Sequence, residues 1–392
     1  MRDQFDVVIV GGAVVGSAAA YFLAQQRDFG GTVLVLERDP SYRDCATTRS
    51  LASIRHQFST AENVRMSMFG TAFIRSAGDR LAVDGVSPEL AFNEAGYLFL
   101  ATEAGRATLQ SNHRMQRRES ADVMLLSPAE INTRFPWLRH TDLAAASLGL
   151  SGEGWIDAHA LMHGLRRKAM ALGAAVRQGH VVDVVVAQGR VSGVVLQDGT
   201  QVDCGWLINA AGTGATALAQ RAGLALPVQS RKRCVYHFTS PAQLPKCPLV
   251  IDPTGLYFRP EGRGFLCGIA PPADEDPECH DFELPAHDFE ERLWPLLAQR
   301  VPAFEAARLH SAWAGHYDLN VLDHNLILGP HPALPNLLFA NGFSGHGVQH
   351  APAVGRALSE LVTWGAFRSL DLSALGWRRV LENQPLLELN VV

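Results

Sequence analysis

The chain has 392 residues, enough for two domains or one large composite one, and 47% of them are hydrophobic, so a sizeable core can be buried. The formal charge is −5, with no basic run and no acidic tail, which argues against nucleic acid and against an electrostatic membrane patch. The six cysteines form no CxxC pair and read as reduced thiols of a cytoplasmic protein, not as a disulfide framework or a metal site.

Asp6 to Val10 is a short β-branched stretch bounded by glycines and predicts a buried strand. Ala13 to Gln26 carries Ala, Tyr, Phe and Leu at helical spacing, and Thr32 to Leu36 is a second apolar strand closed by Glu37. The apolar run Val7 to Ala24 is not read as a signal peptide or membrane anchor. Asp3 and Asp6 stand where positive charge is expected, and Gly11-Gly12 divides the run. Strand, glycine turn, helix, strand and acid together form a dinucleotide-binding unit. Gly11 makes the turn, Gly16 lets the helix approach the strand, the helix N-terminus offers N–H groups to a phosphate, and Glu37 accepts from ribose hydroxyls. The middle glycine of the Gly-x-Gly-x-x-Gly pattern is Ala13. One methyl is tolerable there if φ stays negative, so the site is expected to be tighter but intact.

Ser127-Pro128-Ala129-Glu130 is a capping box opening a short helix. Ala158 to Leu172 predicts an amphipathic helix whose Arg166, Arg167 and Lys168 form a solvated face. Turn signals at Gln188-Gly189 and Asp198-Gly199 predict a three-stranded meander, followed by a separate buried strand ending in Asn209-Ala210-Ala211-Gly212. From Pro227 to about Leu319, prolines, aromatics and short strands predict a second, mostly antiparallel domain, with one helical stretch near Phe289 to Arg300. The segment "NLLFANGFSGHGVQHAPAVGRALSELV" returns to strand, glycine turn and apolar helix, with Gly342, Gly345 and Gly347 bracketing a second helix N-terminus.

The unit ending in Glu37, "INAAG" after a meander and "GFSGHG" before a helix, in this order, resemble the D-amino-acid oxidase-like superfamily of FAD-dependent amine oxidoreductases along essentially the whole chain. "SIRHQFSTAENVRMS", "FPWL", "GLRRK", "RVPAFE" and "SAWAGHYD" look most like a subgroup of FAD-dependent oxidoreductase domain-containing proteins, one of which is linked to complex I assembly. The resemblance implies an α/β, Rossmann-like FAD-binding domain built from discontinuous segments (1–75, 151–226 and 321–392). It also implies a mostly antiparallel β-sheet substrate domain from 76–150 and 227–320. FAD would be held at Gly11, Gly12, Ala13, Val14 and Gly16 (pyrophosphate), Glu37 with Arg38 (ribose) and Val182 (adenine). Ala211, Gly212 and the Gly342–Gly345–His346–Gly347 turn would complete the flavin site.

Flavin amine oxidation needs an amine held neutral, a cation for the substrate carboxylate and a dry aromatic box, with no metal. By resemblance Arg55 is the carboxylate-binding cation, and His56 beside it is a candidate acid–base group. Tyr257 and Arg259, two apart on one strand, would point to the same side, and His316 and Tyr317 would line the substrate pocket. His346 would act through its backbone, with its side chain a secondary candidate. Gln349 stands where sarcosine oxidase has a second carboxylate-binding lysine. No cysteine matches that enzyme's flavin-linking one, so a non-covalent flavin is expected, with attachment through His56 left open. Leu266 falls at the place of a lysine over the flavin, which predicts slow reaction with oxygen. The expected activity is oxidation of a C–N bond of an amino acid or N-substituted amino acid to an imine, with electrons passed to a quinone or protein acceptor. Alternatives are an oxidase that makes hydrogen peroxide, a hydroxy-acid oxidase, and an FAD-binding assembly factor with little turnover. Expected partners are a small amine or amino acid and that acceptor, with no nucleic acid and no transmembrane segment. The expected location is the cytoplasm, with peripheral membrane association left open.

Overall fold

The structure, a computed structural model, describes residues 3–389. The first strand, Asp3–Val10, is flanked by parallel partners on both sides, Val33–Glu37 and Gln201–Asn209. Beyond these lie Ala175–Gln178 at one edge and, at the other, Leu334–Asn341 (parallel) and then Ile327–His331 (antiparallel). Val7, Val8 and Ile9 are fully buried, as expected of a parallel strand covered on both faces. The covering helix Val14–Gln25 carries Ala18-Ala19-Ala20 against a second helix, Gly347–Trp364. The two backbones come close enough that a Cβ on Gly355 would lie 2.6 Å from the Ala18 carbonyl carbon.

The expected meander is present, but its third strand and the buried strand are one continuous element, Gln201–Asn209. Its first half pairs with Arg190–Leu196 and its second half enters the parallel sheet, so no break is needed between "TQV" and "WLIN". A second correction concerns the helix Ala158–Ala171. Of its basic residues only Arg167 is exposed, and it donates to Val86 (2.6 Å); the other two are half-buried, with Lys168 Nζ donating to the Ala82 carbonyl (2.8 Å) and Arg166 over the Tyr42 ring (5.6 Å). Long basic side chains reach neighbouring carbonyls while their stems cover apolar surface. The capping box of the helix Pro128–Arg134 is formed in both directions.

The second sheet has eight strands. Arg308–Asn320, Val228–Thr239, Gly264–Gly268, Tyr257–Glu261 and Leu249–Ile251 run antiparallel in that order, followed by Tyr97–Ala101, Ala145–Gly149 and Val123–Leu126. One face buries Phe238, Phe258 and Phe265 against Phe304, with the Phe238 and Phe304 rings edge-to-face at 5.0 Å. The opposite face is turned toward the parallel sheet and closes a cavity against it. Among the described residues no helix is long and apolar enough to cross a membrane.

Candidate cofactor and substrate site

The cavity measures about 500 Å³ and runs between the two sheets. At one end is the glycine turn. Gly11 has φ +100°, and a Cβ there would lie 2.3 Å from the Ala210 carbonyl oxygen, so this position admits only glycine. A Cβ on Gly16 would lie 1.8 Å from the Gly11 carbonyl oxygen, which fixes how closely the helix approaches the turn. Ala13 has φ −65° and ψ −168°, ordinary extended backbone, and its methyl is tolerated for that reason. It caps the helix without a side-chain hydrogen bond, and the turn there faces the cavity.

Glu37 ends the second strand with both oxygens fixed. Oε2 accepts from the Gly12 N–H (2.7 Å) and Oε1 from the Asp39 N–H (2.8 Å). Gly11, Ala13, Val14, Glu37, Arg38 and Val182 line this end; Gly12 and Gly16 stand behind it and act through packing. A Cβ on Gly12 would meet the Tyr42 hydroxyl at 2.7 Å. That hydroxyl faces the cavity, is buried and has no hydrogen-bond partner among the described residues, an orphan polar atom that a ligand would satisfy. Ala211 and Gly212 (φ +53°) line the middle, and Gly345 and Gly347 line the far side at the start of the second helix. Gly342 (φ +78°) and His346 shape that turn from outside the lining.

The far end is walled by Arg233, Val235, Tyr257, His316 and Tyr317 from the antiparallel sheet, with Tyr97. Burial raises the Tyr257 hydroxyl well above its ordinary value, so it stays a proton donor. Burial likewise lowers the His316 ring, whose Nε2 has no hydrogen-bond partner among the described residues. Burial lifts the Asp318 carboxyl in the same wall to about 6, and its Oδ2 accepts from the Gly342 N–H at 2.7 Å.

Several expected site residues lie elsewhere. Arg55 is 2% exposed and is not part of the lining. Its guanidinium packs over Phe58 (4.1 Å), donates to the Gln57 carbonyl (2.5 Å) and sits 3.0 Å from His346 Nε2. Gln349 accepts from the Arg55 backbone N–H (2.9 Å), so the place of the second cation is taken by a structural amide. His56 is also turned away. Its Nε2 pairs with Thr71 Oγ1 (2.8 Å), and burial pushes the ring down to about 4, which suits packing and not acid–base work. Burial and the Arg55 charge hold His346 well below its ordinary value. Arg259 shares a strand face with Tyr257 but lies one pleat further on, beyond the end of the cavity, stacked on Trp155 at 4.9 Å. Leu266 is buried opposite Arg259 and does not line the cavity either. The walls also carry arginines that the motifs did not signal, Arg49, Arg221 and Arg233.

A family model described as FAD dependent oxidoreductase (DAO) matches residues 6–361. The chain belongs to that family. FAD is accordingly its cofactor, and the glycine turn, the fixed Glu37 and the orphan Tyr42 hydroxyl fit it. This DAO-family chain is 41% identical over 426 residues to the FAD-dependent oxidoreductase domain-containing protein 1 of Xenopus laevis, covering all of this chain and 85% of that protein. It is 25% identical over 381 residues to the monomeric sarcosine oxidase of Bacillus sp. (strain B-0618), covering 93% and 94% of the two chains. Its fold superposes on the crystal structure of L-proline dehydrogenase from P. horikoshii with a TM-score of 0.85 at 24% identity, covering 97% and 99%.

Proposed function

We propose that this protein oxidises the C–N bond of an amino acid or N-substituted amino acid to an imine and passes the electrons to a quinone or protein acceptor. One observation carries the reading. The cofactor cavity ends on a wall that combines a guanidinium (Arg233), a tyrosine hydroxyl held protonated (Tyr257) and a histidine held neutral (His316). Arg233 supplies the cation for a substrate carboxylate, a role for which Arg55 is poorly sited. His316 Nε2 takes the proton of the incoming ammonium and leaves the amine neutral. Tyr97, Tyr257 and Val235 exclude water from the reacting carbon. Bound FAD supplies the two-electron acceptor for hydride leaving the carbon beside nitrogen. Water then hydrolyses the imine to a keto or aldehyde product. The sarcosine oxidase named above supports an amino-acid substrate.

A second reading, an oxidase producing hydrogen peroxide, is favoured by Arg49 and Arg233 in the walls, since a nearby cation stabilises charge building on oxygen. The experiment is an anaerobic screen of D-, L- and N-alkyl amino acids against the yellow holoenzyme. Bleaching by at least one is expected; none would refute the reading. Stopped-flow mixing of reduced enzyme with aerated buffer then separates oxidase from dehydrogenase.

A further inference from the structure

Arg233 is held by a carboxylate that is not part of the cavity. Its Nη1 and Nη2 donate to Asp276 Oδ1 and Oδ2, both at 2.8 Å, the bidentate geometry by which arginine recognises any carboxylate. The two side chains are 17% and 11% exposed, and Arg231 adds a longer contact to the same Asp276 at 3.6 Å. Asp276 belongs to a segment, residues 271–287, whose side chains otherwise face solvent for the most part. The segment is tied to the strand Val228–Thr239 by polar contacts instead of a core. Lys232 Nζ reaches Asp281 (2.7 Å) and the Glu283 carbonyl (2.9 Å), and the Cys279 N–H donates to Ser230. The same segment carries Phe282, whose ring lies edge-on to His316 (4.5 Å) and 4.4 Å below the Arg49 guanidinium. Arg49, His316 and Arg233 are all cavity wall, so this one strap touches three wall residues from outside.

We infer that Asp276 is an internal competitor for the substrate carboxylate, carried on a detachable strap that a ligand carboxylate, and not a neutral ligand, displaces. The inference rests on the proposed amino-acid substrate. Removing Asp276 from Arg233 with nothing in return would leave a poorly solvated guanidinium unpaired, which is costly. A ligand carboxylate removes that cost by exchanging one carboxylate for another on the same fork. A neutral amine offers no such exchange and leaves the strap in place. Loss of the Arg233 anchor leaves the strap held at Ser230 and Lys232, so its Asp276 end lifts from the wall when a carboxylate enters. Segments held by a few exposed polar contacts open at low cost, which suits the role.

The test uses the holoenzyme, with propionate and propionamide as probes and the flavin absorption spectrum as readout. In Asp276→Asn the Kd for propionate should fall about tenfold, because the competent fork is no longer shared. The Kd for propionamide should stay unchanged, and Asp281→Asn, which weakens only the Lys232 tether, should leave both constants alone. In the wild type, propionate but not propionamide should accelerate proteolytic cleavage within 271–287. A propionate Kd that is unchanged or weaker in Asp276→Asn overturns the inference, as does cleavage indifferent to propionate. Bleaching by an amino acid together with an unchanged propionate Kd sinks the competitor and keeps the proposed reaction. A tightened propionate Kd with no bleaching by any amino acid does the reverse.

Discussion

Replacing Gly16 by alanine should cripple cofactor binding, whereas restoring the missing glycine at Ala13 should hardly change it. The added Cβ at Gly16 would stand 1.8 Å from the Gly11 carbonyl oxygen, and the atom it meets is backbone, which cannot swing aside. To regain ordinary contact the helix Val14–Gln25 must withdraw from the turn by about 1.5 Å. That helix is pinned on its far side by Gly347–Trp364, so the withdrawal is resisted by a packed neighbour. Overpacking of this kind costs about 1–3 kcal/mol. If that cost falls on the FAD-bound geometry, affinity drops by roughly 5- to 150-fold. The Ala13→Gly change removes a methyl from a residue at φ −65°, where no strain exists to relieve, and its Kd should move less than about threefold. Titration of apoprotein with FAD, followed by flavin fluorescence, measures both. A Gly16→Ala protein with wild-type Kd would refute the reasoning about the turn.

Other expectations concern pH, packing and cofactor attachment. Burial lifts Asp318 from its ordinary 3.8 to about 6, so the folded state holds this proton more tightly than the unfolded chain and its contribution is lost as pH rises through that window. The thermal midpoint of Asp318→Asn relative to wild type should therefore improve between pH 4 and 7, by up to about 3 kcal/mol of stability; a flat difference would contradict it. Arg379 Nε donates to Asp323 (2.6 Å) with both side chains buried, so Arg379→Ala leaves that carboxylate hydrogen-bonded but without its counter-ion and should cost about 3–5 kcal/mol in urea unfolding; a loss below about 1 kcal/mol would disprove this. Acid precipitation should leave the yellow colour in the supernatant, because the strand Arg308–Asn320 carries no cysteine to hold a flavin; colour in the pellet would show a covalent link.

The glycine-turn end of the cavity was legible in the sequence because everything that builds it is local. Gly11, Gly16 and Glu37 lie within one strand–helix–strand unit, and the turn chemistry of glycine dictates their spacing. The capping box at Ser127 was legible for the same reason. The far end of the cavity was not. Arg233 sits in "SRKRC", which looks like a charge run, and only its pairing with Gly315, more than eighty residues away, brings it to the cavity. Arg55 and His56 look alike in sequence to exposed loop residues at a ligand, yet the helix Ala61–Arg75 and the Gly347–Trp364 helix close over them. The partnership of Arg233 with Asp276 depends on a strap that has no periodicity at all.

The parallel sheet has a consequence for synthesis. The Asp3–Val10 strand is made before its sheet partners Gln201–Asn209, about two hundred residues later, and Leu334–Asn341, later still. Gly345 and Gly347, which line the cavity, follow even those. A nascent chain therefore leaves one edge of the Asp3–Val10 strand unpaired until those partners are made, and non-local pairing of this kind is slow to form. The glycine turn and Glu37 are in place early, but the cavity they line closes only when the last strand has docked.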